Sequence, residues 1–282
     1  MRFITQLWLI AILSFLGVAQ SQAQSSSPST DPYLLLKVGY GMPDSQQQVG
    51  AYANIPTSGG MYRGIYGSYA QGMNLTLGIG KMLNPTFGFE GSAQLVLGKT
   101  ISGSYDYPTI SGTSAERTRS VILKPMIVIR NSGDLLTIYS KLGLAVAVIS
   151  KIYKHDEFYK HDDVRDPKND QVSLAESSET ASVKVGFAAG FGLAFRVTEC
   201  FSVLVEVDGQ LLSLPIRKGR LTRYEQNGAD KLASLSVSEK SWVYENSVPV
   251  ETSPNTSEPE KRLFNPKYYS YAGVGLGIIY HF

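Results

Sequence analysis

The sequence predicts an all-β fold: an eight-stranded antiparallel up-and-down barrel that crosses a membrane. Three observations predict it. Eight segments alternate residue by residue between large apolar side chains and small or polar ones. Short, turn-rich connections alternate with long ones. The face opposite the branched and aromatic one is mostly Gly, Ala and Ser, with one or two charges per segment.

The chain begins with a targeting segment. Arg2 supplies a positive start, and Phe3 to Val18 is apolar apart from Thr5, Gln6 and Ser14. Ser21-Gln22-Ala23 is a small-x-small cleavage site, so residues 1–23 read as a signal peptide and the mature chain is expected to begin at Gln24. No Cys follows the site, so no lipoprotein anchor is expected. Residues 24–32 form a polar leader, Ser-rich from Gln24 to Asp31 and expected to be disordered. Residues 33–282 are then one barrel domain with four long extracellular loops.

The first strand segment carries Leu34, Leu36, Val38 and Tyr40 on its apolar face. The second sets Met73, Leu75, Leu77 and Ile79 against Gly72, Asn74, Thr76, Gly78 and Gly80. The third sets Phe87, Phe89, Ala93, Leu95 and Leu97 against Gly88, Glu90, Ser92 and Gln94. The fourth, with Val121, Leu123, Ile127 and Ile129, is the least tidy. Ile122, Met126 and Val128 fall on its polar face, and Pro125, which lacks a ladder donor, predicts a bulge. The fifth sets Ile138, Leu142, Leu144, Val146 and Val148 against Tyr139, Lys141, Gly143, Ala145 and Ala147. The sixth, Val183 to Val197, is the clearest, and the seventh carries Phe201, Val203, Val205 and Val207 against Ser202, Glu206 and Asp208. The eighth carries Val274, Leu276, Ile278, Tyr280 and Phe282 against Gly273, Gly275, Gly277 and His281. A helix would scatter these sets around its surface, whereas a strand separates them.

Leu83-Asn84-Pro85, Asn131 to Asp134 and Thr198-Glu199 are tight connections, while approximately 43–68, 99–116, 151–178 and 214–266 are long ones. Turns sorted to one end and loops to the other are the transmembrane-barrel pattern. The small-residue face suits the cramped lumen of eight strands, so the branched face is expected to meet lipid. Tyr268, Tyr269 and Tyr271 at the outer end of the last segment, and Tyr62, Tyr66 and Tyr69 before the second, are expected to form an interfacial girdle.

Composition excludes other classes. No stretch beyond the N-terminus has the roughly 20 apolar residues of a spanning helix. Lys and Arg (26) nearly balance Asp and Glu (24), so no nucleic-acid partner is expected. The only Cys, Cys200, cannot form an internal disulfide and reads as a spare thiol.

With these residues in place, the chain resembles the small outer-membrane β-barrels, such as the OmpA transmembrane domain and OmpX. The resemblance covers nearly all of the mature chain and rests on topology and on the terminal strand Val274 to Phe282. It implies an outer-membrane location, a lipid bilayer as surroundings, and a last strand, with Val274, Leu276, Ile278, Tyr280 and Phe282, that resembles the signal read by the outer-membrane assembly machinery. With nothing after Phe282, no peptidoglycan-binding domain of the OmpA kind is expected. The resemblance carries over no binding residues.

Parity turns Lys37, Glu90, Lys124, Lys141, Arg196 and Glu206 inward, as a salt-bridged plug that holds the barrel closed or, alternatively, a gate. Lys154-His155-Asp156 and Lys160 to Asp163 match no zinc or EF-hand spacing and read as a solvated loop, with no metal and no cofactor. His155, His161 and His281 carry no catalytic motif, so no catalytic residue is assigned. Loop four has Arg217, Lys218, Arg220 and Arg223 near its start and Glu245, Glu251, Glu258 and Glu260 near its end, and Leu232 to Ser238 is expected to extend the hairpin above the membrane. The expected function is that of a non-enzymatic outer-membrane protein, structural or binding an extracellular ligand through its loops. A narrow porin-like channel is the alternative, and an outer-leaflet lipid-modifying enzyme the second.

Overall fold

The computed structural model describes residues 32–43, 47–54, 60–160, 171–248, 255–264 and 266–282. The expected signal peptide, the expected leader before Pro32, and His161, Asp162, Asp163 and Glu251 lie outside the described residues. Strict alternation of outward and inward side chains builds eight long strands: β1 (Pro32–Pro43), β2 (Gly72–Met82), β3 (Phe87–Gly98), β4 (Ile110–Ser132), β5 (Leu136–Lys160), β6 (Lys184–Arg196), β7 (Phe201–Leu211) and β8 (Tyr271–His281). Each pairs antiparallel with the next in this order. The ring closes where β1 pairs with β8, from Tyr33 opposite His281 to Pro43 opposite Tyr271. Closure leaves these strands no open edge along their shared length.

The outer face is apolar all round. Leu36, Leu77, Phe89, Ile127, Leu142, Phe187, Val203 and Leu276 all stand exposed on it. The inner face is buried, with one packed group toward the turns (Leu35, Met82, Val128, Tyr139, Ala194 and Leu204). A second lies toward the loops and includes Val96, Ile122, Met126, Ala145, Leu214 and Tyr271. Ile122, Met126 and Val128, which break the alternation of β4, are therefore lumen filling.

Two details of β4 and β5 differ from expectation. Pro125 stays in register opposite Gly91 of β3. The register shift lies instead between Val121 and Ile122, which face Ile149 and Ala147 and leave Val148 of β5 as the extra residue. This bulge turns Ile149 outward and Ser150 and Ile152 inward, so the parity of β5 changes along its length. The tight turns are held by side chains. The Asn84 carboxamide oxygen accepts from the Thr86 and Phe87 amides, and the Thr198 hydroxyl accepts from the Phe201 amide.

The long connections are largely strand. β4 and β5 run on together past the apolar belt as far as Ile110 opposite Lys160. On the β5 side the sheet continues through Gln171–Ala181, Ile216–Gln226, Ser241–Glu245 and Glu260–Leu263. On the β4 side it continues through Ile101–Asp106, Gln47–Asn54 and Met61–Gly67. Leu232 to Ser238 does not extend the hairpin: Leu232–Ser234 is a 3-10 turn, and Val237–Lys240 is one helical turn. Its N-cap Ser236 makes a reciprocal capping box with Glu239, which favours the turn over a strand there.

Candidate functional site

The lumen holds a charged layer between its two apolar groups. β1 contributes Lys37, β3 Glu90, β4 Lys124, β5 Lys141, and β7 Glu206 and Asp208; these six side chains are only 3–6% exposed. Lys141 lies 2.8 Å from Glu90 and 3.0 Å from Glu206. Lys37 pairs with Glu206 and lies 3.0 Å from Asp208, and Lys124 lies 3.7 Å from Asp208. Each carboxylate also accepts from a tyrosine hydroxyl: Glu90 from Tyr33 at 3.0 Å, Glu206 from Tyr139 at 3.0 Å and Asp208 from Tyr271 at 2.9 Å. The Gln94 amide donates to the Tyr271 hydroxyl at 2.7 Å. Three cations thus meet three anions in a neutral network whose anions carry both ionic and hydrogen-bond partners, as buried charge requires.

Glycine makes the room. A Cβ on Gly192 would lie 2.4 Å from the Tyr139 ring, and one on Gly80 would lie 2.2 Å from the Tyr33 ring. The small-residue face is therefore the complement of a few large lumen side chains drawn from other strands.

Of the charges that parity turns inward, Lys37, Glu90, Lys124, Lys141 and Glu206 come together, and Arg196 does not. Arg196 is exposed at the end of β6. It lines, with Arg130 and His281, a cavity of about 160 Å³ at the turn end. Its parity is inward, but the strand ends there and no facing wall covers it. Asp208 completes the network and was not assigned to it from sequence, although its parity matches that of Glu206.

The tyrosine girdle also needs correction. Tyr62, Tyr66 and Tyr268 are exposed, as are Tyr280 and Phe282 at the turn end. Tyr69, Tyr269 and Tyr271 are buried inside, at 4%, 0% and 2% exposure, where they close the lumen at the loop end together with Leu212 and Leu214.

Beyond the barrel proper, a second, partly buried cluster ties Tyr69 and Lys267 to the extended strands of the second, third and fourth long connections. Glu116 of β4 lies 3.2 Å from Lys154 of β5 and accepts from the Tyr69 hydroxyl at 2.7 Å. Lys154 is 3.4 Å from Glu179 on Gln171–Ala181. Glu179 accepts from the Trp242 indole at 3.3 Å and the Tyr244 hydroxyl at 2.8 Å. Lys267 donates to the Tyr69 hydroxyl at 3.2 Å and lies 3.9 Å from Glu116. Burial alone would raise the Glu116 carboxyl, but Lys154 and Lys267 outweigh it and hold the group below its ordinary range. Burial would lower the Lys154 ammonium, and Glu116 and Glu179 more than offset that and hold it raised.

His155 faces outward and contacts Glu157 at 3.2 Å and Glu176 at 3.5 Å. Among the described residues no group of three or more His, Cys, Asp and Glu is arranged to hold a metal ion.

No family model and no curated protein matches the sequence. Among solved structures, the chain is similar to Ail, the attachment invasion locus protein of Yersinia pestis. Identity is 11% and the TM-score 0.33, over 90% of this chain and 100% of that one. It is also similar to CarO2 of Acinetobacter baumannii, with 10% identity and a TM-score of 0.34 over the same shares. A third likeness, to the translocator domain of the autotransporter NalP from Neisseria meningitidis, has 7% identity and a TM-score of 0.25, over 97% of each chain. The barrel assignment rests on the chain's own ring of paired strands. That fold is eight antiparallel strands closed on themselves with an apolar exterior, the architecture the sequence predicts.

Proposed function

We propose that this chain is a non-enzymatic outer-membrane β-barrel protein that acts through the sheet at its loop end, as a structural or ligand-binding surface element. One observation carries the reading: a closed strand ring with an apolar outer face surrounds a lumen filled by a neutral, buried charge network. A water-soluble barrel would reverse the two faces. With the lumen occupied, the large structured surface left for function is the loop-end sheet. Against an enzyme stands the placement of the two described histidines. His155 is engaged by Glu157 and Glu176 on the outward face, and His281 lies at the opposite end. The outward row Val274, Leu276, Ile278, Tyr280 and Phe282 supports a role for β8 as the strand read by the assembly machinery.

Cys200 gives the test. It is exposed in the β6–β7 turn, which the proposal puts in the periplasm. A membrane-impermeant maleimide is expected to label Cys200 only in permeabilised cells. Lys231→Cys in a Cys200→Ser background is expected to react on intact cells. The protein should sediment with outer membranes and run differently on gels before and after boiling. Labelling of Cys200 in intact cells, or a soluble unshifted protein, would overturn the reading.

A further inference from the structure

The outward face of the loop-end sheet carries two cationic rows set by strand register. In the first, Arg119 of β4 stands opposite Lys151 of β5, Lys151 opposite Thr180, and Thr180 opposite Lys218. In the second, two residues farther from the barrel, Arg117 stands opposite Tyr153, Tyr153 opposite Ser178, and Ser178 opposite Arg220. All five cations are exposed. The residues that separate them along the rows, Thr180, Tyr153 and Ser178, carry hydroxyls, and none of the five makes an ion pair among the described residues.

The next row outward is different. There His155 and Arg223 both contact Glu176, and Arg223 lies 2.7 Å from Glu225. Acidic partners are thus present one step away and missing from the two rows nearest the barrel. A cross-strand pair of like charges such as Arg119 and Lys151 weakens a sheet unless an anion sits between them. Ladder spacing gives the patch a width of roughly 14 Å from Arg119 to Lys218 and a height of roughly 7 Å.

The patch is continuous with the apolar belt. Directly below the first row, Val121 stands opposite Ile149, which is exposed. Beside Arg119 in the same row is Leu97 of β3, also exposed on the apolar face. The cations therefore begin where the lipid-facing surface ends, at the level of headgroups. Arginine forks match phosphate oxygens bidentately, and Tyr153, Thr180 and Ser178 add hydroxyls between them.

We infer that Arg117, Arg119, Lys151, Lys218 and Arg220 form a docking site for the phosphorylated headgroup of lipopolysaccharide in the surrounding outer leaflet. The inference rests on the outer-membrane reading above. The site lies on one flank of the barrel, over β4, β5 and the strands beyond it, so it fixes one glycolipid molecule rather than a uniform ring.

The test titrates purified rough-type lipopolysaccharide into the folded full-length mature chain in zwitterionic detergent, with binding read by native mass spectrometry. The five-site Gln variant (R117Q, R119Q, K151Q, K218Q, R220Q) is expected to bind at least tenfold more weakly than the parent. A control with Lys81→Gln and Lys231→Gln is expected to bind as the parent does. Lipopolysaccharide stripped of its phosphates should bind the parent no better than the five-site variant binds the intact lipid. Equal binding by parent and variant, equal binding of the stripped lipid, or capture of heparin in preference to lipopolysaccharide would each overturn the site. Should the five-site variant lose its boiling-dependent gel shift, the single reversals Arg119→Glu and Lys151→Glu carry the same comparison. Loss of that shift in the parent would instead refute the outer-membrane reading, which separates the two failures.

Discussion

Lys141 stands where two carboxylates of different strands converge, 2.8 Å from Glu90 and 3.0 Å from Glu206. Lys141→Met would leave both anions buried with one fewer cation. Breaking a buried pair from one side costs about 3–5 kcal/mol, so the urea midpoint of the variant in lipid vesicles should fall accordingly. Tyr139→Phe removes only a hydroxyl donor from Glu206, which keeps two lysines. A hydrogen bond to a charged group is worth about 1.5–3 kcal/mol, so this variant should rank as the milder of the two. If the order were reversed, water rather than lysine would be stabilising the carboxylates. Most of this layer was legible in the sequence, because strand parity alone turns Lys37, Glu90, Lys124, Lys141 and Glu206 inward. The misses are instructive. Tyr271 shares the parity of Gly273, Gly275 and Gly277, so its inward direction was encoded, but its position at a strand end suggested a girdle. Arg196 has inward parity at the opposite end, where no wall faces it. Parity fixes direction, and only the register between strands fixes what a side chain meets.

The apolar belt imposes period two on the strands within it, which is why those elements were readable. Beyond the belt the same strands continue in water, where neither face must be apolar, and sequences such as Gln171–Ala181 lose the signal. The four long loops were therefore read as loops, although much of each is sheet. The Val148 bulge was hidden for a related reason: Val148 and Ile149 are both apolar, so the change of parity leaves no break in composition. Its consequence is testable. Deleting Val148 keeps Ala147 opposite Ile122 and Ile149 opposite Val121, so assembly and the surroundings of Trp242 should survive. Inserting one residue after Ser150 instead turns Lys154 away from Glu116 and Glu179, and the Trp242 emission should shift to the red. Trp8 lies in the segment read from sequence as a signal peptide, so Trp242 is expected to be the sole tryptophan reporter of the mature chain. The same reporter reads the pH response. Glu116 is depressed below its ordinary range in the folded chain, so its contribution is present above the unfolded carboxylate value, near 4.3, and is lost as pH falls through the lower folded value. Lys154 is raised, so its contribution is complete below about 10.4 and is lost as pH rises beyond that. Trp242 emission should hold steady between these limits and change on acidification below about 4. A transition near neutral pH would show that other groups hold the loops together.

For the molecule as a whole, the lumen decides between a passage and a plug. Eight strands enclose an interior that side chains just fill. Here the filling comes in three layers: apolar groups toward the turns, the neutral charge network, and a cap of Tyr69, Tyr269, Leu212 and Leu214 toward the loops. A channel would need all three to open together. A membrane potential supplies about 2.3 kcal/mol per elementary charge per 100 mV, whereas one broken buried pair costs about 3–5 kcal/mol. Because the network is neutral and lies at one level, displacing its cations and anions together moves little net charge through the field. Voltage therefore has little leverage on it. The purified barrel in a planar bilayer is expected to show no discrete conductance steps at 100 mV of either sign. Removing part of the cap with Tyr269→Ala should leave the recording silent, because the charged layer beneath still closes the path. Discrete steps from the unaltered protein would mean that the lumen network opens in the membrane. The six charged residues would then line a pore instead of sealing one.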